Sequence, residues 1–467
     1  NLVCPCQLMV PQKEPNYMIT EEAQAVLQDL DDHKFAKVKE AVRDMHYADV
    51  AELFESIEDQ ETAVLLFRLL PKDTAAEVFS YMESENQEQL LTVLTDKELR
   101  HILDELYLDD YVDLIEEMPA NVVKRVLKNS SPENRKLINQ YLQYPEDSAG
   151  SLMTNEYVYL KQTLTVNQAL AVIRANGVDK ETINKCYVLD DQHHLDGVVS
   201  LRDLILADPH ARVGDIMRTN VISVNTNDDQ EEVAKMFSKY DMLSMPVVDR
   251  ENRLVGIITI DDVVDVVQDE ATEDFEKMAG IVPSEDTYLK TPVFTIFRSR
   301  IMWLMVLMVS AMVSGALITH FEGAISTLPI LVSFIPMLMG TGGNSGSQTS
   351  TTVIRSMALD EIELSDFFRV WWKEVRVALL CGTALAIVNY IRIVLQYHDW
   401  AVAMTVSLTL IVTVLVAKSL GCILPMLAKK LKLDPALMAS PMLTTITDAC
   451  SILVFFIFVM AILGGRL

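Results

Sequence analysis

One carboxylate stands alone in the most apolar part of this chain. Asp448 lies inside a run from Ala436 to Leu463 that also holds Pro441, Thr444, Thr445 and Thr447 and no other charged residue. An ionisable group at that depth is expensive if it faces lipid, so its default reading is functional. A second polar element ends another apolar run: Gly340-Thr-Gly-Gly-Asn-Ser-Gly-Ser-Gln-Thr-Ser-Thr-Thr352 would make a poor continuous lipid-facing helix. Irregular backbone is tolerated there only where it packs in protein or lines a watery cavity. Carboxylates and backbone carbonyls are oxygen ligands for hard cations. A divalent cation that keeps its waters is best held by such groups lining a roomy site. Asn389, Arg392 and Lys418 are weaker polar candidates, since the long cations snorkel from near a helix end.

The remaining carboxylates are crowded. Asp269, Glu270, Glu273 and Asp274 follow i, i+1, i+4, i+5 spacing in a stretch, Val266 to Met278, that is helical by composition. Like charges so placed destabilise a helix unless something neutralises them, which leaves a solvated face and a cation bridge as the two readings.

Three kinds of element must position these groups. Residues 20–130 read as short amphipathic helices: Leu70-Pro-Lys-Asp73, Leu94-Thr-Asp-Lys97 and Met118-Pro-Ala-Asn121 each end one apolar-periodic run and start another at steps of 24 residues, with a weaker copy at Asp49 to Phe54. That period predicts a small α-solenoid, the alternative being an irregular helical bundle. Residues 150–270 hold a different duplication. Ser151-Leu-Met-Thr154, Tyr187-Val-Leu-Asp190 and Gly197-Val-Val-Ser-Leu-Arg-Asp203 recur as Asp215-Ile-Met-Arg218, Pro246-Val-Val-Asp249 and Gly256-Ile-Ile-Thr-Ile-Asp-Asp262, each copy reading strand, helix, strand, strand, helix. This resembles a tandem pair of CBS modules. The resemblance implies association with a second pair, and it implies that Ser200 with Asp203, or Thr259 with Asp262, holds a nucleotide ribose such as that of ATP. An Asp capping the next helix is the plainer reading of each.

Membrane spans come third. Ile301 to Thr319 holds 19 uncharged positions, about 29 Å of helix and enough to cross a bilayer. Further spans are expected at Ala324–Thr341, Val377–Leu395, Val402–Leu427 and Ala436–Leu463. Loops with Arg355, Arg369, Lys373 and Arg376, or with Lys429, Lys430 and Lys432, alternate with loops carrying Glu322 or Asp399. The basic loops and the N-terminal part then face the cytosol, and five crossings put the C-terminus outside a cell (inner or plasma) membrane.

Charge is as uneven as hydropathy. Of the formal net −27, residues 1–290 carry −30 and the rest +3. So acidic a domain repels phosphate, which excludes nucleic acid as a partner and points to cations. Cys4, Cys6, Cys186, Cys381, Cys422 and Cys450 show neither a zinc spacing nor a disulfide framework. No catalytic triad, P-loop or metal-hydrolase spacing is present, so no enzyme is expected. The first insertable run begins near residue 301, and the acidic part is expected in the cytosol.

The order of acidic helical repeat, CBS pair, acidic connecting helix and five spans, with Gly340-Thr-Gly-Gly-Asn344 and Asp434-Pro-Ala-Leu before Pro441 and Asp448, looks like the MgtE family of magnesium channels over almost the full chain. The fold class is then multidomain: an all-α N-terminal domain (1–148), an α/β CBS pair (149–266), a connecting plug helix (267–296) and a five-span helical membrane domain (297–467). The resemblance implies a homodimer in the lipid bilayer with Mg²⁺ as both substrate and regulator. It makes Asp448 the pore carboxylate, joined by Asn344, Gly340, Gly343, Thr444, Thr445 and Ser440, the last where some members have Asn. By the same matching, regulatory Mg²⁺ positions are Glu77, Asp109 and Asp113 in the helical domain, Glu231, Asp241, Asp262 and Asp265 in the CBS pair with Asp229 beside them, and Glu270, Glu273 and Asp274 in the connecting helix. Scarce Mg²⁺ leaves the acidic surfaces to repel one another, and plentiful Mg²⁺ bridges and closes them. A secondary transporter would need inverted repeats, which five spans do not divide into, and a mere anchor would not need Asp448.

Overall fold

The computed structural model describes residues 21–57, 59–178, 180–283, 288, 291–438 and 440–465, so Cys4 and Cys6 lie outside it. The chain divides into two compact units, Asn1–Val267 and Gln268–Leu467.

The first unit opens with ten helices: α1 (Glu21–Asp31), α2 (Phe35–Asp44), α3 (Tyr47–Glu55), α4 (Gln60–Leu69), α5 (Lys72–Ser80), α6 (Ser84–Val93), α7 (Asp96–Glu105), α8 (Leu108–Glu117), α9 (Ala120–Asn129) and α10 (Pro132–Tyr141). From Gln60 a helix starts every twelve residues, so the 24-residue step is one helix pair. Leu70 and Met118 end their helices in extended backbone because each precedes a proline, whose ring disfavours the α conformation in the residue before it. Where no proline follows, Thr95 and Glu98 form a capping box that starts α7. Odd helices stack on odd (α1 to α9 in order) and even on even (α2, α4, α6; α8 on α10), giving the two layers of a solenoid rather than an irregular bundle. Their core, with Phe54, Phe79, Tyr111 and Val126 fully buried, is continuous with Phe237, Ile258 and Val266 of the second CBS-like module.

That pair of modules comprises β1 (Tyr157–Leu160), α11 (Val166–Asn176), β2 (Thr182–Leu189), β3 (Leu195–Ser200), α12 (Leu201–Leu206), α13 (Val213–Ile216), β4 (Val224–Asn225), α14 (Gln230–Tyr240), β5 (Ser244–Val248), β6 (Leu254–Thr259) and α15 (Ile260–Met278). Each three-stranded sheet runs parallel then antiparallel, in the orders β1-β2-β3 and β4-β5-β6. The leading segments are exchanged. Met153 packs where a Cβ on Gly256 would stand, and Met217 where one on Gly197 would stand, so each module's start seals the other's sheet. Both glycines are therefore needed for close approach.

The second unit holds α16 (Val293–His320), α17 (Glu322–Thr327), a 3₁₀ turn (Pro329–Phe334), α18 (Ile335–Ala358), α19 (Phe367–Tyr397), α20 (Trp400–Lys430), a 3₁₀ turn (Pro435–Met438) and α21 (Ser440–Leu463). Among the described residues four helices are long and apolar enough to cross a membrane: Val293–His320, Leu364–Tyr397, Trp400–Lys430 and Pro441–Leu463. Two expectations are corrected here. The span placed at Ala324–Thr341 is instead a short helix and a 3₁₀ turn that lead into α18, Pro329 opening the turn and Pro336 falling in the first turn of α18. The stretch Gly340 to Thr352, expected to be irregular, is α-helical throughout. Its hydroxyls are served by carbonyls one turn back (Thr341 to Met337, Thr352 to Gln348). Its buried glycines permit crossings no larger residue allows, because a Cβ on Gly343 would meet Thr444, one on Gly342 would meet Ser451, and one on Gly421 would fall 2.4 Å from the Gly346 carbonyl oxygen.

Candidate functional site

In the membrane unit, α18 presents Gly340, Asn344, Gln348, Thr351 and Arg355 along one exposed face, while Gly342, Gly343, Gly346, Thr349 and Ser350 are buried against neighbouring helices. Asp448 lies on α21, half-buried, one turn beyond Thr444. Because Gly343 and Thr444 meet at the crossing of α18 and α21, Asn344 is one residue and Asp448 one turn from a shared contact. The helices thus bring Asn344, Gly343, Thr444 and Asp448 into one neighbourhood. Thr445, also half-buried, gives its hydroxyl to the Met442 carbonyl. Ser440 starts α21, and its side chain is outside the described set. Of the weaker candidates, Lys418 does not snorkel: it is buried beside Thr349 and Glu374. Asn389 is buried too, and Arg392 reaches Met337.

In the first unit a set of carboxylates from both halves shares one electrostatic environment. Burial lifts Asp109 well above the usual carboxylate range, reinforced by Asp110, Asp262 and Glu181. Its Oδ1 is buried without a hydrogen-bond partner among the described residues. Asp110 and Asp113 are pushed up to about 7, by burial first and then by neighbours that include Asp262 for both. Glu181 reaches about 7 through burial, Asp261 and Asp262, and Asp262 about 6 through burial, Asp261 and Asp265 despite its hydrogen bond from Thr259. Burial also raises Glu77 and Asp265. Each charge makes the next harder to form. Among the described residues, however, no three His, Cys, Asp or Glu side chains are gathered closely enough to hold a bare metal ion.

Glu77, Asp109, Asp113, Asp262 and Asp265 of the expected set belong to this surface. Asp229, Glu231 and Asp241 have local employment: Asp229 caps α14, Glu231 pairs with Lys235 at 3.0 Å, and Asp241 closes α14 in left-handed backbone. On α15, Glu273 pairs with Lys277 at 2.7 Å, and Lys277 also reaches Asp434 at 2.8 Å. Burial alone would lower the Lys277 ammonium, yet the hydrogen bonds it donates to Asp434 and Glu273 raise it well above its ordinary value. Glu270 and Asp274 lie half-buried on the same helix. Sequence reasoning missed Asp110, Glu181 and Asp261. Asp110 and Asp261 had a signal, their places beside Asp109 and Asp262; Glu181, just before β2, had none, because only the fold brings it into the electrostatic environment of Asp110 and Asp262.

The ribose-type pairs act locally. Ser200 Oγ accepts from the Asp203 amide at 3.0 Å, capping α12, and Thr259 Oγ1 donates to Asp262 at 2.7 Å.

Three family descriptions match: a divalent cation transporter, MgtE, over residues 335–458, the MgtE intracellular N domain over 45–147, and CBS domains over 149–210 and 213–269. The magnesium transporter MgtE of Thermus thermophilus is 37% identical over 422 residues, 90% of this chain and 93% of its own. The magnesium transporter MgtE of Bacillus subtilis is 32% identical over 427 residues, 91% and 94% of the two chains. Among solved structures, the cytosolic domain of the Mg²⁺ channel MgtE in complex with ATP aligns with a TM-score of 0.50 at 40% identity, over 52% of this chain and 99% of that one. The soluble part of a magnesium transporter aligns at 0.51 and 33%, over 54% and 99%.

Proposed function

Because the chain belongs to the MgtE family of divalent cation transporters, we propose that it is a Mg²⁺ channel of the cell membrane, working as a homodimer and closed by cytosolic Mg²⁺. The observation that carries this reading is the placement of Asp448 one turn from the Gly343–Thr444 contact, beside the exposed Asn344 face of α18. Two copies would offer two carboxylates, amides and carbonyls to one hydrated divalent ion. Gly340, Thr445 and Ser440 complete the pore positions. Growth of a strain lacking its own Mg²⁺ uptake tests the reading: the chain should restore growth in low Mg²⁺, and failure despite membrane expression would contradict it.

The domain limits 1–148, 149–266, 267–296 and 297–467 are kept, with α18 as the fifth crossing. It is too polar to span by composition alone, but it packs against α20 and α21. The N-terminus is then cytosolic and the C-terminus outside. A cysteine introduced near Gly465 should be labelled from outside intact cells and one near Lys430 should not; reversed labelling would overturn the five-span topology.

Gating follows from the acidic surface. Mg²⁺ held through its waters between Glu77, Asp109 and Asp113 on one side and Asp262 and Asp265 on the other would offset the burial and mutual repulsion that raise their pKa values, with Asp229, Glu231, Asp241, Glu270, Glu273 and Asp274 as outlying positions. Unfolded carboxylates titrate near 4, whereas these bind protons up to about 6 to 7 when folded. The folded state therefore holds more protons between those limits, and stability falls as pH rises through that window. In chelator the melting temperature should be lower at pH 8 than at pH 5.5 by about 5 °C, and Mg²⁺ should raise it more at pH 8. Equal increments at both pH values would contradict the assignment. ATP is the second proposed ligand, at Ser200 and Asp203 or Thr259 and Asp262. The relative crystallised with ATP supports this, and binding at the second pair would have to take over the Thr259–Asp262 hydrogen bond.

A further inference from the structure

A buried chain of polar atoms ties three membrane helices together behind the Asn344 face. Lys418 Nζ on α20 donates to Thr349 Oγ1 on α18 at 3.0 Å, and that hydroxyl donates to Glu374 Oε2 on α19 at 2.8 Å. Nζ and Oε2 are 3.5 Å apart, with the two side chains 8% and 17% exposed. Thr349 lies at a close crossing of α18 and α20, where a Cβ on Gly421 would stand 3.1 Å from its own Cβ. Five residues separate it from Asn344, which places it about 140° round the helix and roughly 7–8 Å along it. Oppositely charged groups inside a membrane domain are costly, and a well-packed apolar pair of the same volume would be no less stable. Their retention therefore asks for a use beyond packing.

We propose that Lys418, Thr349 and Glu374 form a charge-compensated brace: it sets the depth and rotation of α18, and Glu374 cancels the field of Lys418 that would otherwise oppose a divalent cation on the far face of that helix. The inference rests on the pore face proposed above. Its signature is an asymmetry of sign. Neutralising Glu374 leaves an ammonium behind the ion path; neutralising Lys418 leaves a carboxylate, which attracts Mg²⁺; neutralising both removes the field. A purely structural pair would suffer equally from either single loss.

The test is Mg²⁺ uptake by liposomes carrying the full chain, with half-saturating Mg²⁺ measured for Glu374→Gln, Lys418→Met and the double variant. Glu374→Gln should need about tenfold more Mg²⁺, Lys418→Met the same or less than wild type, and the double should return to wild type. Equal weakening by the two singles, or no change in either, overturns the brace. Should a single variant fail to elute as a monodisperse particle, the double decides: wild-type half-saturation supports compensation, and a tenfold weaker value refutes it. Asp448→Asn assayed in parallel keeps the two failures apart, since flux retained there sinks the pore reading, whereas indistinguishable singles sink the brace alone.

Discussion

Asp448→Asn should abolish Mg²⁺ flux while leaving a well-folded protein. The amide keeps the size of the side chain and part of its hydrogen bonding, so the substitution separates charge from packing. In a dimeric pore it removes two charges at once. Each charge-assisted contact contributes roughly 1.5 to 3 kcal/mol, so the pair accounts for about two or more powers of ten in occupancy by a divalent ion. Insertion should be unaffected, because a neutral amide is cheaper than a carboxylate in a membrane. Asp448 is half-buried at one turn from Thr444, with no other carboxylate in its helix to take over. Flux at the wild-type level through a monodisperse Asp448→Asn protein would refute the ion site and leave Asp448 a packing residue.

Removing the acidic part should produce the opposite phenotype. A chain lacking residues 1 to about 265 should conduct, but millimolar Mg²⁺ on the cytosolic side should no longer shut it. In the full chain the same Mg²⁺ should protect the Asp265 to Asp274 segment from protease and lower the open probability. Physically, the ion acts only through its different affinity for the open and closed arrangements, and sites assembled from two surfaces exist only when those surfaces meet. The finer variant is Asp109→Asn with Asp113→Asn and Asp262→Asn, which removes carboxylates of raised pKa from both surfaces. It should raise the inhibiting Mg²⁺ concentration about tenfold or more. A truncated chain that remains equally inhibited would move the regulation into the membrane unit.

The helical repeat and the strand order of the duplicated modules were legible in the sequence because their signals are local. A proline fixes the residue before it, a Thr–Glu pair caps a helix, and a β-branched run flanked by turns makes a strand. The misreadings came from tertiary context. Gly340 to Thr352 looks helix-breaking when glycine is weighed by its backbone freedom, yet Gly342, Gly343 and Gly346 are the places where α20 and α21 come closest. The apolar run from Ala324 conceals a 3₁₀ turn, since hydropathy does not reveal which part of it continues as helix. Asp448 and Asn344 were legible as residues out of place. Their adjacency was not, because it depends on a crossing made by Gly343 and Thr444. Lys418 looked like a cation reaching for the interface, and only Thr349 and Glu374, far away in sequence, explain its burial.

The central claim, that this chain conducts Mg²⁺ and is shut by it from the cytosolic side, is tested most directly by Mg²⁺ flux into liposomes containing only the purified protein. Uptake should far exceed that of empty liposomes at micromolar Mg²⁺ on the cytosolic face, and fall steeply when that face is brought to millimolar Mg²⁺. Uptake no greater than that of empty liposomes, or uptake indifferent to cytosolic Mg²⁺, would contradict it.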